Sequence, residues 1–296
     1  MKIYNIGSLN IDYVYHVSQF VQPGETRSPE SLDIFPGGKG LNQSVALARS
    51  GAQVTHGGAV GADGAFLVEI LRAAGVDVSG IRMGEVTSGH AIIQVDPQGQ
   101  NAILLFAGAN HSLTEAQVEA LLADAQPGDL LLAQNETNLL GTIFEIAHRK
   151  QLQIAFNPSP IQENLRSLPL EYVTWWFLNE LEGAALTGKR DPEAMAEDLL
   201  SRYPHSRIIL TLGSDGCIYR AQGACYRQSI FPVKAVDTTG AGDTFTGFFL
   251  GCVASGAEIP EALRLASAAA AIAVSRPGAS ASIPGIDEVI TFANSR

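Results

Sequence analysis

Short apolar runs recur along the chain at residues 3–7, 53–60, 130–133, 152–156, 173–178 and 207–212, with longer stretches between them. Those stretches, at 41–49, 66–74, 115–123, 142–150, 192–202 and 244–254, space their apolar residues at helical intervals. The alternation predicts βαβ units around a mostly parallel sheet, the apolar helix faces covering it. A further strand is expected at 233–236, leading into Asp237. Two stretches break the alternation. Residues 13–18 with 31–35, and 88–96 with 101–107, read as strand pairs, the second turned by Asp96-Pro-Gln-Gly99. They call for a second, smaller sheet, a β flap placed to close over a ligand or to meet another subunit; extra edge strands without a role are the plainer alternative. No repeat, low-complexity tract or Pro/Ser linker divides the chain, so residues 1–296 are expected as a single domain, with flap strands drawn from 13–35 and 88–107.

Charge and composition narrow the partners. A formal net charge of -11 offers no broad attraction for nucleic acid or anionic lipid. Every apolar run is interrupted well before the roughly 20 residues a membrane helix needs. The start of the chain reaches Asn5, Ser8, Asn10 and Asp12 too soon for a signal peptide, and Cys217, Cys225 and Cys252 form no paired spacing, so a cytoplasmic protein with reduced thiols is expected.

In open α/β sheets ligands bind beyond the carboxyl ends of the strands, so the residues following each strand carry the chemistry. They are Asn10 and Asp12, Asn135 and Glu136, Asn179 and Glu182, Gly213 and Ser214, and the segment Asp237-Thr-Thr-Gly-Ala-Gly-Asp243. A parallel sheet would gather them on one rim. Within the last segment, Gly240 and Gly242 can turn successive amide N–H groups inward, and a helix starting nearby adds its positive end. Gly240, Ala241 and Gly242 would then form an anion hole suited to a transferring phosphoryl group, with Asp243 placed as the base that takes a hydroxyl proton. Taken alone, such residues are also ordinary helix capping. The turn Pro36-Gly-Gly-Lys-Gly-Leu-Asn42 supplies a second signal: its glycines admit a small polar ligand, and Lys39 and Asn42, with Asn10 and Asp12, make a set of donors and acceptors suited to a sugar.

Other motifs carry less. Gly183-Ala-Ala-Leu-Thr-Gly-Lys189 has P-loop spacing, but Arg190 stands where a Mg²⁺-binding hydroxyl is needed and the stretch reads as a helix ending at Gly188. No dinucleotide fingerprint follows the first strand, and the six histidines are scattered without metal-ligand spacing.

The chain resembles the ribokinase-like carbohydrate kinases nearly end to end. The resemblance is carried by Gly7-Ser-Leu-Asn-Ile-Asp12, Pro23-Gly-Glu25, Gly37-Gly-Lys-Gly-Leu-Asn-Gln43, Ala107-Gly-Ala-Asn110, Asn157-Pro-Ser-Pro160, Asn179-Glu-Leu-Glu182, Thr211-Leu-Gly-Ser214 and residues 237–245. It implies a three-layer α/β fold with a mostly parallel central sheet, a small β lid that often forms a homodimer contact, and MgATP-dependent phosphorylation of a sugar's terminal hydroxyl. The implied sugar contacts are Asn10, Asp12, Gly38, Lys39, Asn42, Glu136 and Asp243. ATP would lie along Asn179, Thr211, Gly213, Ser214 and the glycine turn, with Glu182 organising hydrated Mg²⁺. A monovalent cation, K⁺ by the same resemblance, would take Asp237, Thr239, Ala273, Arg276, Gly278 and Ser282. The implied sugar is D-ribose, with deoxyribose, a ketose, a sugar acid or a nucleoside as alternatives, and a catalytically silent sugar-binding protein as the reading of another class. Leu178, where the family commonly has proline, and Tyr13, Tyr15 and His16 in the lid depart from the pattern; they spare the phosphate chemistry and bear on the sugar.

Overall fold

A parallel strand covered on both faces sends alternate side chains into two separate layers, so it reads as an unbroken apolar run. Leu130 and Leu132 enter one core while Leu131 and Ala133 enter the other, and Trp175 and Phe177 divide from Trp176 and Leu178 in the same way. The computed structural model describes residues 1–296, apart from the side chains at positions 164 and 166. In chain order the first elements are β1 (Ile3–Ile6), β2 (Asn10–His16), β3 (Ser31–Gly37), α1 (Lys39–Arg49), β4 (Val54–Val60), α2 (Ala65–Ala73), β5 (Asp77–Met83), β6 (Gly89–Val95) and β7 (Asn101–Phe106). There follow α3 (Glu115–Leu121), β8 (Leu130–Gln134), α4 (Leu140–Arg149), β9 (Gln153–Asn157), β10 (Trp175–Asn179), α5 (Glu180–Thr187) and α6 (Pro192–Arg202). The chain continues through β11 (Arg207–Thr211), β12 (Cys217–Ala221), β13 (Ala224–Gln228), α7 (Ala241–Ala254), α8 (Ile259–Val274) and α9 (Ile286–Asn294).

Among the described residues the larger sheet has the order β13-β12-β11-β10-β9-β8-β1-β4-β5. Every neighbouring pair from β11 to β5 is parallel, and β12 and β13 extend one edge as an antiparallel hairpin. Helices α1, α2, α7, α8 and α9 pack on one face; α3, α4, α5 and α6 pack on the other. This is the three-layer arrangement expected. Among the described residues no helix is long and apolar enough to cross a membrane.

The smaller sheet, β3-β2-β6-β7, is the lid. Its strand β2 starts at Asn10 rather than at residue 13, which puts Asn10 and Asp12 in the lid ladder instead of a loop behind β1. Glycines make this possible: Asn10 pairs with Gly37 on one side and Gly89 on the other. A Cβ at Gly37 would overlap the Asp12 carboxylate, and one at Gly89 would overlap the Asn10 and Asn110 side-chain amides.

Residues 233–236, expected as a strand, join no sheet. Pro232 lacks the N–H a ladder needs. The chain is anchored instead on the C-terminal end of α8, where the Val236 and Asp237 amides both donate to the Val274 carbonyl (2.7 and 3.2 Å). That anchor delivers Asp237 and the glycine turn to the rim of the sheet. Helix α7 then lies close against α1, because Gly247 and Gly251 fall one turn apart on the shared face, where a Cβ would collide with Ala46 or Ser50. The close crossing brings the first turn of α7 beside Asn42 and Gln43 of α1.

Candidate active site

The carboxyl ends of β9, β10 and β11 and the N-terminal ends of α1, α5 and α7 meet around one cleft. Lys39, Asn157, Asn179, Glu182, Thr211, Thr238, Gly240, Ala241, Gly242, Asp243 and Thr246 line it. Gly240 caps α7 in the left-handed region (φ 75°), with Ala279 close behind it, a position that favours glycine. Gly242 and Asp243 occupy the first turn, whose N–H groups have no intrahelical acceptor; the Ala241 amide donates back to the Thr238 carbonyl (3.3 Å), and those that follow lie at the positive end of the helix. This is the geometry of an anion hole.

Asp243 is buried in this turn. Its Oδ2 accepts from Asn42 Nδ2 (3.0 Å) and its Oδ1 from Gln43 Nε2 (2.8 Å). The oxygen of the Asn42 amide, Oδ1, is buried with no donor among the described residues, an acceptor still lacking a partner. Across the site, Gly38 adopts φ 93° and packs against the Ser8 carbonyl and Asn10 amide, setting Lys39 at the start of α1. The Lys39 amide donates to Glu136 Oε2 (3.1 Å), which also accepts from the Ser8 hydroxyl. Asn110 Nδ2 donates to Asn10 Oδ1 (2.7 Å) while Asn110 Oδ1 takes the Leu9 amide (2.9 Å), which fixes which end of the Asn10 amide is the acceptor toward Asn110.

The charges here are strongly coupled. Burial pushes the Asp12 carboxyl up to about 6, helped by the Glu136 charge. Burial also raises Glu136, against the pull of Lys39 and the Ser8 hydroxyl. Lys39 would be depressed by its burial, but Asp243, Glu136 and Glu182 outweigh that and hold the ammonium above the ordinary lysine range.

On the far side of the cleft Asn179 and Glu182 form a capping box on α5: Asn179 Oδ1 takes the Glu182 amide (2.9 Å) and Glu182 Oε2 takes the Asn179 amide (3.0 Å). The buried Glu182 side chain also lines the cleft, so capping and cleft chemistry share one residue. Thr211 lines the cleft, while Gly213 and Ser214 lie in the turn just after β11, beyond that lining. Behind the anion hole, Asp237 accepts the Thr239 amide on Oδ1 and the Gly278 amide on Oδ2 (both 2.9 Å). Its carboxyl, which burial would raise, is held low by the Thr239 and Gly278 donors. Beyond the end of α8 the Arg276 N–H donates a hydrogen bond to the Ala273 carbonyl (3.1 Å), and Ser282 Oγ donates to Ala279 O (2.8 Å). The Arg276 guanidinium pairs with Glu288, away from this loop's carbonyls.

Asn157, Thr238 and Thr246 in the cleft wall, and Gln43, Gln134 and Asn110 behind it, have no role assigned from the sequence alone, although Gln43, Asn110, Asn157 and Thr238 fall inside its motifs. A polar residue inside an otherwise apolar strand or helix face, as with Asn5 in β1 and Gln134 at the end of β8, is the signal that points to them.

A buried carboxylate beside a helix N-terminus, with amides and carboxylates suited to hydroxyl groups nearby, fits a phosphotransferase with an alcohol as acceptor. The chain belongs to the pfkB family of carbohydrate kinases, whose family model matches residues 2–286. It is 35% identical to the ribokinase of Haemophilus influenzae, over 97% of this chain and 96% of that protein. It is 30% identical to a deoxyribokinase of Salmonella typhi, over 97% of each. Among solved structures it resembles that of Arabidopsis thaliana ribokinase complexed with ribose and ATP, at a TM-score of 0.87 and 27% identity, covering 99% of this chain and 98% of that one.

Proposed function

We propose that this protein transfers the γ-phosphoryl group of ATP to the terminal hydroxyl of D-ribose, giving ribose 5-phosphate and ADP. The observation that carries the reading is the position of Asp243: its carboxylate, held by Asn42 and Gln43, lies between the hydroxyl-binding groups and the first-turn amides of α7. In this reading Asn10, Asp12, Gly38, Lys39, Asn42 and Glu136 bind the sugar, the orphaned Asn42 Oδ1 accepting a hydrogen bond from one of its hydroxyls. Asp243 removes the proton of the attacking hydroxyl as the oxygen closes on phosphorus. The amides around Gly240, Ala241 and Gly242, with the Lys39 ammonium, stabilise the charge that develops on the transferring group. Asn179, Thr211, Gly213 and Ser214 border the nucleotide. The relatives named ribokinase, and the one crystallised with ribose and ATP, support this substrate pair.

A divalent cation fits the cleft through the Glu182 carboxylate. Among the described residues no cluster of three or more His, Cys, Asp or Glu could hold an ion alone, so Mg²⁺ would be carried mainly by the phosphates. Bound there, it would neutralise phosphate charge. The low-lying Asp237 carboxylate and the carbonyl-rich loop through Ala273, Gly278 and Ser282, with Thr239 and Arg276, suit a monovalent cation such as K⁺. We take residues 1–296 as one cytoplasmic kinase domain that pairs through its lid. Deoxyribose is the second reading, favoured by the deoxyribokinase relative.

A panel of sugars assayed by coupled ADP release tests the assignment. Ribose is expected to give the highest kcat/KM, and replacing K⁺ by tetramethylammonium to lower the rate. A much higher kcat/KM for deoxyribose or another sugar would overturn the ribose assignment, and unchanged rates without K⁺ would remove the cation site.

A further inference from the structure

From behind the cleft to its wall, five polar side chains from five elements are connected, four of them buried and Asn157 half-buried, with a branch at Gln43. Asn5 of β1 donates from Nδ2 to the Gly40 carbonyl (2.8 Å). Its Oδ1 accepts from Gln134 Nε2 of β8 (2.9 Å), which also donates to Gln43 Oε1 of α1 (2.7 Å). Gln43 Nε2 then donates to Asp243 Oδ1 of α7 (2.8 Å) and to Asn157 Oδ1 of β9 (3.2 Å). Asn157 Nδ2 ends the line on the Phe177 carbonyl (2.9 Å). Asn5, Gln43 and Gln134 are 0% exposed, so water does not compete for these bonds.

The direction of every amide in the line is fixed. Backbone carbonyls can only accept, so Gly40 and Phe177 orient Asn5 and Asn157. Asn5 then requires the Gln134 amino group, and Gln134 in turn requires Gln43 Oε1. One orientation of Gln43 remains, with both amino protons facing oxygen. Turning its amide over would set an oxygen against the Asp243 carboxylate and an amino group against the Gln134 amino group. At the far end Asn5 Nδ2 also donates to Ser44 Oγ (2.8 Å), which leaves the Ser44 hydroxyl proton for His56 Nδ1 (2.8 Å).

We propose that Gln43 is a positioning residue for the base, fixing the plane of the Asp243 carboxylate and keeping a donor on the oxygen that Asn42 does not hold. The inference rests on Asp243 acting as the base. It assigns work to a residue with no place in the sugar or nucleotide set. A carboxylate gripped on both oxygens cannot rotate about its terminal bond, so its free lone pairs stay aimed at the hydroxyl. Withdrawing one amide donor makes proton uptake by the carboxylate easier. The charged groups acting on Asp243 are Lys39 on α1 and Glu136 after β8, while Glu182 on α5 lines the same cleft and acts on Lys39; Gln43 contributes without charge.

The test is the pH dependence of kcat in Gln43→Glu and Gln43→Met, with circular dichroism confirming the fold. Gln43→Glu sets an acceptor against Asp243 Oδ1, so the acidic limb of kcat is expected to move to higher pH. At pH 7 kcat should fall on the order of 10-fold, with KM for the sugar changed less than about 3-fold. Gln43→Met keeps the length and removes the donor, and moves the limb the same way by less. A residue that merely filled space would lower Tm without moving the limb, so folded variants with the wild-type acidic limb overturn the proposal. If Gln43→Glu does not fold, Gln43→Met decides by the same reading. Asp243→Asn separates the two claims: turnover retained there removes the base, whereas an inactive Asp243→Asn beside unmoved Gln43 limbs removes only the positioning role.

Discussion

Asp12 occupies a position that is good for binding and poor for stability. Its carboxyl is pushed up to about 6 by burial and by Glu136, while in the unfolded chain it returns to about 3.8. Between those values the native protein holds a proton that the unfolded chain has lost. Stability therefore falls as pH rises through this window, and above it the ionised carboxylate costs roughly 1–3 kcal/mol. Asp12→Asn should raise Tm at pH 8 and leave it nearly unchanged at pH 4, while KM for the sugar increases through loss of a charged acceptor. Thermal melts at the two pH values check this; an equal Tm gap at both would remove the electrostatic explanation. In the proposed reaction a sugar hydroxyl donating to Asp12 would return the hydrogen bonding that burial took from it.

At the scale of elements, the lid is a sheet with little to cover it. Ile103, Leu104, Leu105 and Phe106 of β7 and Leu32, Ile34 and Phe35 of β3 are exposed, an apolar display that monomeric proteins seldom keep. Pairing of two lids would bury it, and would tie the ladder bearing Asn10 and Asp12 to a second chain. The expected outcome in sedimentation equilibrium is a species of twice the 31.3 kDa chain mass, reduced to one chain by Leu104→Lys with Ile34→Lys. A wild-type monomer at micromolar concentration would contradict lid pairing. Elements were legible in the sequence where local chemistry marks their ends. Helix α6 begins at Pro192 because Asp191 accepts the Ala194 amide (2.8 Å) behind a first-turn proline, and its predicted and observed limits coincide. Helix α8 escaped because residues 266–273 are nearly all small and buried, with no polar face to reveal a period. The hairpin β12–β13 and the edge strand β5, which contains Ser79 and Gly80, likewise lack a clear alternation. Residues 233–236 misled in the opposite sense: they alternate like a strand, yet the chain there is held by one carbonyl of α8.

Across the whole molecule, the rim foreseen from the sequence exists because the strands from β11 to β5 run parallel, so their carboxyl ends share one edge. The two glycine turns could be read directly, since each marks a helix start. What could not be read is their meeting. Asn42 and Gln43 stand about 200 positions before Asp243, and the glycine face of α7 against α1 closes that distance only in three dimensions. The polar line from Asn5 to Asp243 is similarly tertiary, each member looking alone like a stray amide in an apolar element. Fold, rim and polar line converge on a single carboxylate. The most direct measurement is therefore steady-state turnover of Asp243→Asn with ribose and MgATP, together with ribose affinity by calorimetry. The account predicts a loss in kcat on the order of 10²-fold or more with ribose still bound; turnover near the wild-type rate would contradict it.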